Sequence, residues 1–219
     1  MFLSFPGRLA AVLLSLYYRK SAREANSFSM VFFLFCAIIT ASIPRGDMAM
    51  ETLLLDGCRH PDEVGALFEA YTRDLLRQAP DFAGYLARQD YSHELSHLEE
   101  KYGRPHGRLY LLRCGGVPAG TVALRRIDGS RCELKRLYVH PGFRGHGYAR
   151  RLVETVLSDA AAIGYRQVLL DTFPFLTGAI ALYRDLGFRE VPSYNGSPMP
   201  ELIYMALELP VPGPTAPGT

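Results

Sequence analysis

Leu137-Tyr-Val-His-Pro-Gly-Phe-Arg-Gly-His-Gly-Tyr-Ala149 joins a β-rich run to an amphipathic helix through a glycine turn. The β-rich run stops at Pro141, and a turn of the form Arg-x-x-Gly-x-Ala follows (Arg144, Gly147, Ala149). Beyond it, Ala149, Leu152, Val153, Val156, Leu157 and Ala160 recur at the i, i+3, i+4 spacing of one helix face, and Gly164 suits the residue just past its end. A helix entered through glycines leaves backbone N–H groups uncovered at the positive end of its dipole, which is a cradle for phosphate. The turn therefore predicts a phosphorylated ligand.

Working outward, Thr52 to Asp56 reads as a short strand. Pro61 suits a first helical position, and Val64, Leu67, Phe68, Tyr71 and Leu75 trace the buried face of the helix that follows. Pro80 ends that helix, and Phe82 to Lys101 predicts a second, more polar helical stretch. Arg108–Cys114, Val117–Ile127 and Cys132–Val139 read as strands, joined by the hairpin signals Gly115-Gly116 and Asp128-Gly129. After the helix, Val168 to Leu170 is a continuous apolar run, as in a strand buried on both faces. Strand, helix and buried strand in that order make a βαβ crossover with parallel strands. Ala179 to Leu186 predicts another helix, ended by Gly187, and Ile203 to Leu209 a last strand. The fold class is α/β: a mixed sheet in which an antiparallel meander precedes a βαβ unit, with helices on both faces.

From Cys132 to Leu209 the chain resembles the GNAT superfamily of acyl-CoA-dependent N-acetyltransferases. The glycine turn fits that family's [Arg/Gln]-x-x-Gly-x-[Gly/Ala] pyrophosphate loop, and Ala179-Ile-Ala-Leu-Tyr-Arg-Asp-Leu-Gly-Phe188 resembles its later Ala-x-x-Leu-Tyr-x-x-x-Gly-Phe signature. With the similar element order upstream, the likeness extends over residues 51–209. The chain departs from the family at Leu176, where Asn is frequent, and Thr177 is the available substitute. The resemblance implies acetyl-CoA as co-substrate, no metal, and a primary amine of a small molecule or amino-acid derivative as acceptor, attacked directly in a ternary complex. It also assigns sites. The backbone over Arg144, Gly145, His146, Gly147, Tyr148 and Ala149 would hold the pyrophosphate, with Arg144 adding charge, and Leu137, Tyr138 and Val139 would pair with the pantetheine arm. Tyr183 in the Leu-Tyr signature would be the acid for the leaving thiolate. A phenol titrates near 10 and a thiol near about 8.5, so that transfer is uphill unless the site lowers the tyrosine. Glu133 stands where some family members place a base. On a regular strand it shares a face with Leu137 and Val139, and a raised pKa would let it accept the amine proton, directly or through water. Tyr194, in the turn-rich loop after the Gly-Phe signature, would border the acceptor. A non-catalytic acyl-CoA sensor is the second function class that fits the cofactor residues alone.

Other features are bounded by composition. A formal net charge of +2 over 219 residues, with lysine and arginine scattered, gives no nucleic-acid footprint. Arg150-Arg151 at a helix start suits either a nearby polyanion or a solvated face. Cys36, Cys58, Cys114 and Cys132 lack C-x-x-C spacing, so they read as buried reduced thiols rather than a zinc ribbon. Gly145-His-Gly147 is a poor dinucleotide fingerprint: Asp171 stands at roughly the distance of its acidic residue, but Arg150 takes the place of the third glycine and three antiparallel strands upstream argue against it. His93-Glu-Leu-Ser-His97 matches H-E-x-x-H, yet no motif supplies a third zinc ligand. Residues 1–50 form an apolar extension in which Ala25 to Pro44 are twenty residues without a charge, close to the roughly 20 that span a bilayer. A membrane anchor, a processed targeting segment and non-native sequence upstream of Met48 or Met50 all accommodate it. The expected location is cytoplasmic, or membrane-anchored through residues 25–44. Residues 210–219, with four prolines and two glycines, read as a disordered tail, and oligomeric state has no sequence signal.

Overall fold

The computed structural model describes residues 51–84, 91–197 and 199–210. The expectations for residues 1–50 and for 211–219 lie outside them. No helix among the described residues is long and apolar enough to cross a membrane. By contacts the chain divides into two units: Met1–Leu53 with Arg113–Val117, and Leu54–Leu112 with Pro118–Thr219. In the described part of the first, Gly115 and Gly116 take φ of 58° and 82°, as a tight hairpin turn requires, and Gly115 N–H donates to Glu51 O. Every candidate site residue lies in the second unit.

The elements run β1 (Thr52–Asp56), α1 (Pro61–Gln78), α2 (Tyr91–Ser96), α3 (Leu98–Tyr102), β2 (Arg108–Cys114), β3 (Val117–Arg126), β4 (Arg131–Val139), α4 (Tyr148–Ile163), β5 (Gln167–Thr172), α5 (Thr177–Asp185), β6 (Arg189–Val191) and β7 (Ile203–Glu208). The sheet order is β1-β2-β3-β4-β5-β7-β6. Strand β4 pairs antiparallel with β3 and parallel with β5, so the crossover is as expected. Two elements differ from the sequence reading. The polar helical stretch is interrupted at His97, whose φ of −133° is not helical and which caps α3. The short strand β6, paired with β7, was not anticipated.

One face of the sheet takes α1 and α3: Val64, Leu67, Phe68 and Tyr102 pack with Leu109, Leu111, Ala123 and Tyr138. On α4 Leu152, Val153, Val156 and Ala160 of the predicted stripe are fully covered and Ala149 and Leu157 half-buried, and burying each large side chain is worth about 1.5–3 kcal/mol. Gly164 ends α4 in the left-handed region at φ 101°. The Asp128-Gly129 hairpin is held by Asp128, whose Oδ1 accepts from the Ser130 and Arg131 N–H groups.

The register of β3 with β4 slips. Thr121 faces Tyr138 while Ala123 faces Lys135, so β4 carries an extra residue at Arg136-Leu137, a β-bulge. Arg136 there adopts φ 56°, a non-glycine residue in the left-handed region, at a cost of about 1–3 kcal/mol. A buried ion pair offsets it: Arg136 Nε and Nη2 donate to Glu94 Oε1 and Oε2 at 2.7 and 2.8 Å. Lys101 Nζ and the Tyr102 hydroxyl fill the remaining acceptor sites of Glu94 at 2.5 and 2.7 Å. The bulge reverses the alternation of β4. Glu133 and Lys135 share the face of Tyr138, toward α1, whereas Val139 lies beside Gly120 and Leu152 of α4. The expectation that Glu133 shares a face with Val139 is therefore corrected.

Burial alone would raise the Glu94 pKa, but Arg136 and Lys101 outweigh it and hold the carboxyl at about 2, from an ordinary 4.5. A depressed carboxyl stabilises the fold above its unfolded pKa and ceases to do so as pH falls through the folded one. The difference is worth about 3 kcal/mol, at about 1.4 kcal/mol per tenfold change. Thermal unfolding is thus expected to show a stability loss of that size between pH 4.5 and about 2. Glu94→Ala should remove about 3–5 kcal/mol at neutral pH, because it leaves Arg136 buried and unpaired, and should flatten the acid limb.

Candidate active site

Strands β4 and β5 pair only through Arg131, Cys132 and Glu133, opposite Gln167, Val168 and Leu169. Beyond that point they splay, so β4 from Leu134 to Val139 has no partner strand on its β5 side. The resulting cleft is lined by Leu134–Leu137 on β4, by Asp171 and Thr172 on β5, and by Tyr71, Phe173 and Tyr183 among others. The splay thus leaves a slot between the two strands. Leu137 lines it, while the Tyr138 and Val139 side chains are buried on opposite faces of the sheet and leave only backbone to offer there.

The glycine turn follows Val139. Pro141–Phe143 forms one 3-10 turn, Arg144 N–H donates to Pro141 O, and the next loop-to-helix bond is from Arg151 N–H to Gly147 O. Gly145 and Gly147 take φ of 84° and 76°, and Gly147 caps α4 without any side-chain acceptor. Among the described residues the N–H groups of Gly145, His146, Gly147 and Ala149 have no acceptor, and a Cβ at either glycine would meet only open space. A cradle of this kind fits a pyrophosphate. The nearby arginines are partly committed: Arg144 Nε donates to Val139 O at 2.9 Å, and Arg150 pairs with Asp185 and Glu154. His146 and Tyr148 lie ring to ring at 5.7 Å beside the turn.

Tyr183 sits on α5, 5 % exposed, with its ring 5.6 Å from Phe188. Its hydroxyl makes no hydrogen bond to a described residue, and it lines the cleft. Burial, then the nearby Tyr71 and Asp171, raise its pKa above the ordinary phenol value; the site does not lower it. Glu133 is 0 % exposed. Arg125 Nε donates to its Oε2 at 2.5 Å, Lys135 Nζ lies 3.5 Å from Oε2, and the Tyr194 hydroxyl donates to Oε1 at 2.7 Å. Burial alone would raise this carboxyl, but Lys135, Arg125 and the Tyr194 hydrogen bond hold it below the ordinary range. A raised pKa at Glu133 is therefore corrected, the reason being two cations that the strand pattern places beside it.

The loop after β6 docks on the site. Tyr194 reaches Glu133, and Asn195 Nδ2 donates to Asp171 Oδ2 at 2.7 Å. Asp171 and Tyr71 are not among the site residues that the sequence reading assigns; Asp171 enters that reading only as the acidic residue of the rival dinucleotide fingerprint, and Tyr71 only as part of a buried helix face. The H-E-x-x-H stretch serves the core instead. Glu94 faces Arg136, His93 and His97 stack at 4.0 Å on the exposed side, and no group of three His, Cys, Asp or Glu among the described residues is arranged to hold a metal. Cys114 and Cys132 are buried and Cys58 is half-buried, and none of the three is in a disulfide.

A splayed parallel pair whose first strand runs on into an uncapped glycine turn, with a phenol lining the cleft between the strands, suits transfer of an acyl group from a phosphate-bearing carrier, and the class so defined is that of the acyltransferases. The comparisons with known proteins then name the family. The model of the acetyltransferase (GNAT) family matches residues 67–188. An uncharacterized N-acetyltransferase of Schizosaccharomyces pombe is 36% identical over 131 residues, covering 59% of this chain and 80% of that protein. One from Escherichia coli is 30% identical over 123 residues, covering 53% and 74%. Among solved structures, an acetyltransferase from Streptococcus agalactiae superposes with a TM-score of 0.59 at 20% identity, covering 74% of this chain and 99% of that one. An N-acetyltransferase from Thermoplasma acidophilum, solved with coenzyme A, gives 0.58 at 12%, covering 73% and 100%. The chain belongs to the acetyltransferase (GNAT) family and is an acyltransferase.

Proposed function

We propose that this chain transfers an acetyl group from acetyl-CoA to a primary amine of a small molecule or amino-acid derivative, by direct attack in a ternary complex. The observation that supports this most is the uncapped N–H cradle at Gly145–Ala149, reached directly from the strand whose residues 134–137 line a cleft with Tyr183. Acetyl-CoA supplies the activated thioester when bound. Gly145, His146, Gly147 and Ala149 hold its pyrophosphate by backbone N–H groups, with the α4 dipole and the unengaged nitrogens of Arg144 adding to the attraction. The open edge of β4, Leu137 to Val139, pairs with the pantetheine amides as a neighbouring strand would.

Tyr183 protonates the leaving sulfur. Its raised pKa does not forbid this, because a thiolate in the same apolar slot is destabilised too. Burial first, and then nearby acidic groups, push the Cys58 and Cys132 thiols of this protein up to about 11 and about 12. Glu133, closed in by its partners, reaches the amine only through Tyr194. The Tyr194 oxygen accepts the amine proton while its own proton passes to Glu133 Oε1, a relay in which Glu133, held low by Lys135 and Arg125, carries the proton only transiently. Tyr194→Phe is therefore expected to lower kcat by roughly 10²-fold, the lower end of a positioned proton-transfer group's worth, with the coenzyme KM unchanged, measured by steady-state kinetics. The site of action follows acetyl-CoA, in the cytoplasm.

Thiol release from acetyl-CoA with a broad amine panel tests the assignment. Tight coenzyme binding with no thiol release for any amine would overturn it in favour of a sensor. The hydroxyl of Tyr183, held in the cleft without a structural hydrogen bond, favours the enzyme.

A further inference from the structure

The cleft between β4 and β5 presents polar and apolar surface in similar measure, and its charged lining residues are Lys135, Arg136 and Asp171. The two cations are already spent, Lys135 beside Glu133 and Arg136 on Glu94. Asp171 is different. Among the described residues it has no cationic partner; Asn195 Nδ2 donates to Oδ2, and Oδ1 has no protein donor. Around it the cleft presents Tyr71, Leu75, Phe82, Phe173 and Leu202. Phe82 and Phe173 meet edge to face at 5.1 Å. Asp171 is half-buried there, and a carboxylate oxygen with no donor beside those rings offers a seat for a cation.

Its placement matches the acceptor side. Glu133 pairs with Leu169, so Asp171, two residues further along β5, projects from the same face as Glu133. The two carboxylates thus stand on either side of the splay. Consecutive residues of one loop, Tyr194 and Asn195, reach them. The charge of Asp171 is also felt, after burial, at the hydroxyls of Tyr71, Tyr183 and Tyr194.

We propose that Asp171 is the specificity-determining residue of the acceptor site, pairing through Oδ1 with the acceptor's ammonium, and that the acceptor is a primary amine on an aromatic or branched apolar body. A carboxylate beside the amine would set a second anion against Asp171, so amines lacking one are preferred. Bound there, the ammonium lies in the cleft that Tyr183 also lines. This inference rests on the acetyl-transfer reading and extends it to the class of acceptor.

Phenethylamine, phenylalanine and 3-phenylpropionate share a ring and differ in charge, and they are titrated against the coenzyme A-saturated protein by thermal shift. Phenethylamine is expected to raise Tm, and the other two are not. The near-isosteric variant Asp171→Asn should keep the wild-type apo Tm, weaken phenethylamine binding roughly 10- to 100-fold, and raise the amine KM with little change in kcat or in the coenzyme KM. Equal phenethylamine affinity in Asp171→Asn, no amine binding to the wild type, or equal binding of 3-phenylpropionate overturns the inference. A fall in kcat alone also overturns it, by making Asp171 a base rather than an anchor. The two readings fail differently. Charge-selective amine binding without thiol release removes acetyl transfer and keeps the anchor, whereas turnover with an unchanged amine KM in Asp171→Asn removes only the anchor.

Discussion

Tyr183→Phe is expected to lower kcat by roughly 10²- to 10⁴-fold, the usual worth of a positioned general acid, while coenzyme binding and Tm stay near wild type. The separation follows from the surroundings of the side chain. The ring is 5 % exposed and packs on Phe188, and phenylalanine keeps that packing. The hydroxyl has no hydrogen-bond partner among the described residues, so removing it strands no donor or acceptor. Its only loss is the proton it offers in the cleft. Because burial raises the phenol pKa above its ordinary value, the acid stays protonated through the neutral and mildly alkaline range, and the wild-type rate should show no alkaline fall on its account. A pH–rate profile for wild type and variant, with coenzyme binding measured by thermal shift, checks both parts. A Tyr183→Phe enzyme with wild-type kcat would remove the tyrosine from the chemistry.

Gly147→Val should abolish the coenzyme A-induced rise in Tm and leave a folded, somewhat less stable protein. At φ 76° the residue occupies the left-handed region, where a branched side chain costs about 1–3 kcal/mol. No neighbour lies within 4 Å of a Cβ placed there, so the effect is backbone strain rather than a clash. The chain relieves that strain by rotating φ, which turns the N–H groups of the cradle away from a common centre. Loss of two charge-assisted bonds at about 1.5–3 kcal/mol each weakens binding by about 10²–10⁴-fold. Gly147→Ala should fall between, since alanine in that region costs about 1–2 kcal/mol. Gly65→Ala is the control: Gly65 lies inside α1 with open space around it and no positive φ, so alanine should stabilise by about 0.5–1 kcal/mol and leave the coenzyme response intact. A normal coenzyme shift in Gly147→Val would refute the cradle.

The sequence by itself determined what local physics governs. The α4 stripe follows from 3.6-residue periodicity. The parallel pairing of β4 and β5 follows from strand, helix and buried strand in order. The left-handed positions at Gly115, Gly116, Gly145, Gly147 and Gly164 follow from the missing Cβ, and the position of Tyr183 in the cleft from a short signature. What tertiary structure decided depends on partners far along the chain. Arg136 is not a residue from which a left-handed bulge can be read. It is held there by Glu94, 42 residues earlier, and that one conformation reverses which side chains of β4 beyond it face α1. The state of Glu133 is likewise set by Tyr194, 61 residues later, and by Arg125 across the strand pair, which is why a carboxyl expected to rise instead falls. Strand β6 exists only because β7 offers it an edge. Asp171 becomes a candidate anchor once the fold has spent every other charge around the cleft. Periodicity and turn chemistry act within a few residues and are visible in sequence; charge pairing and burial act across the fold and are not.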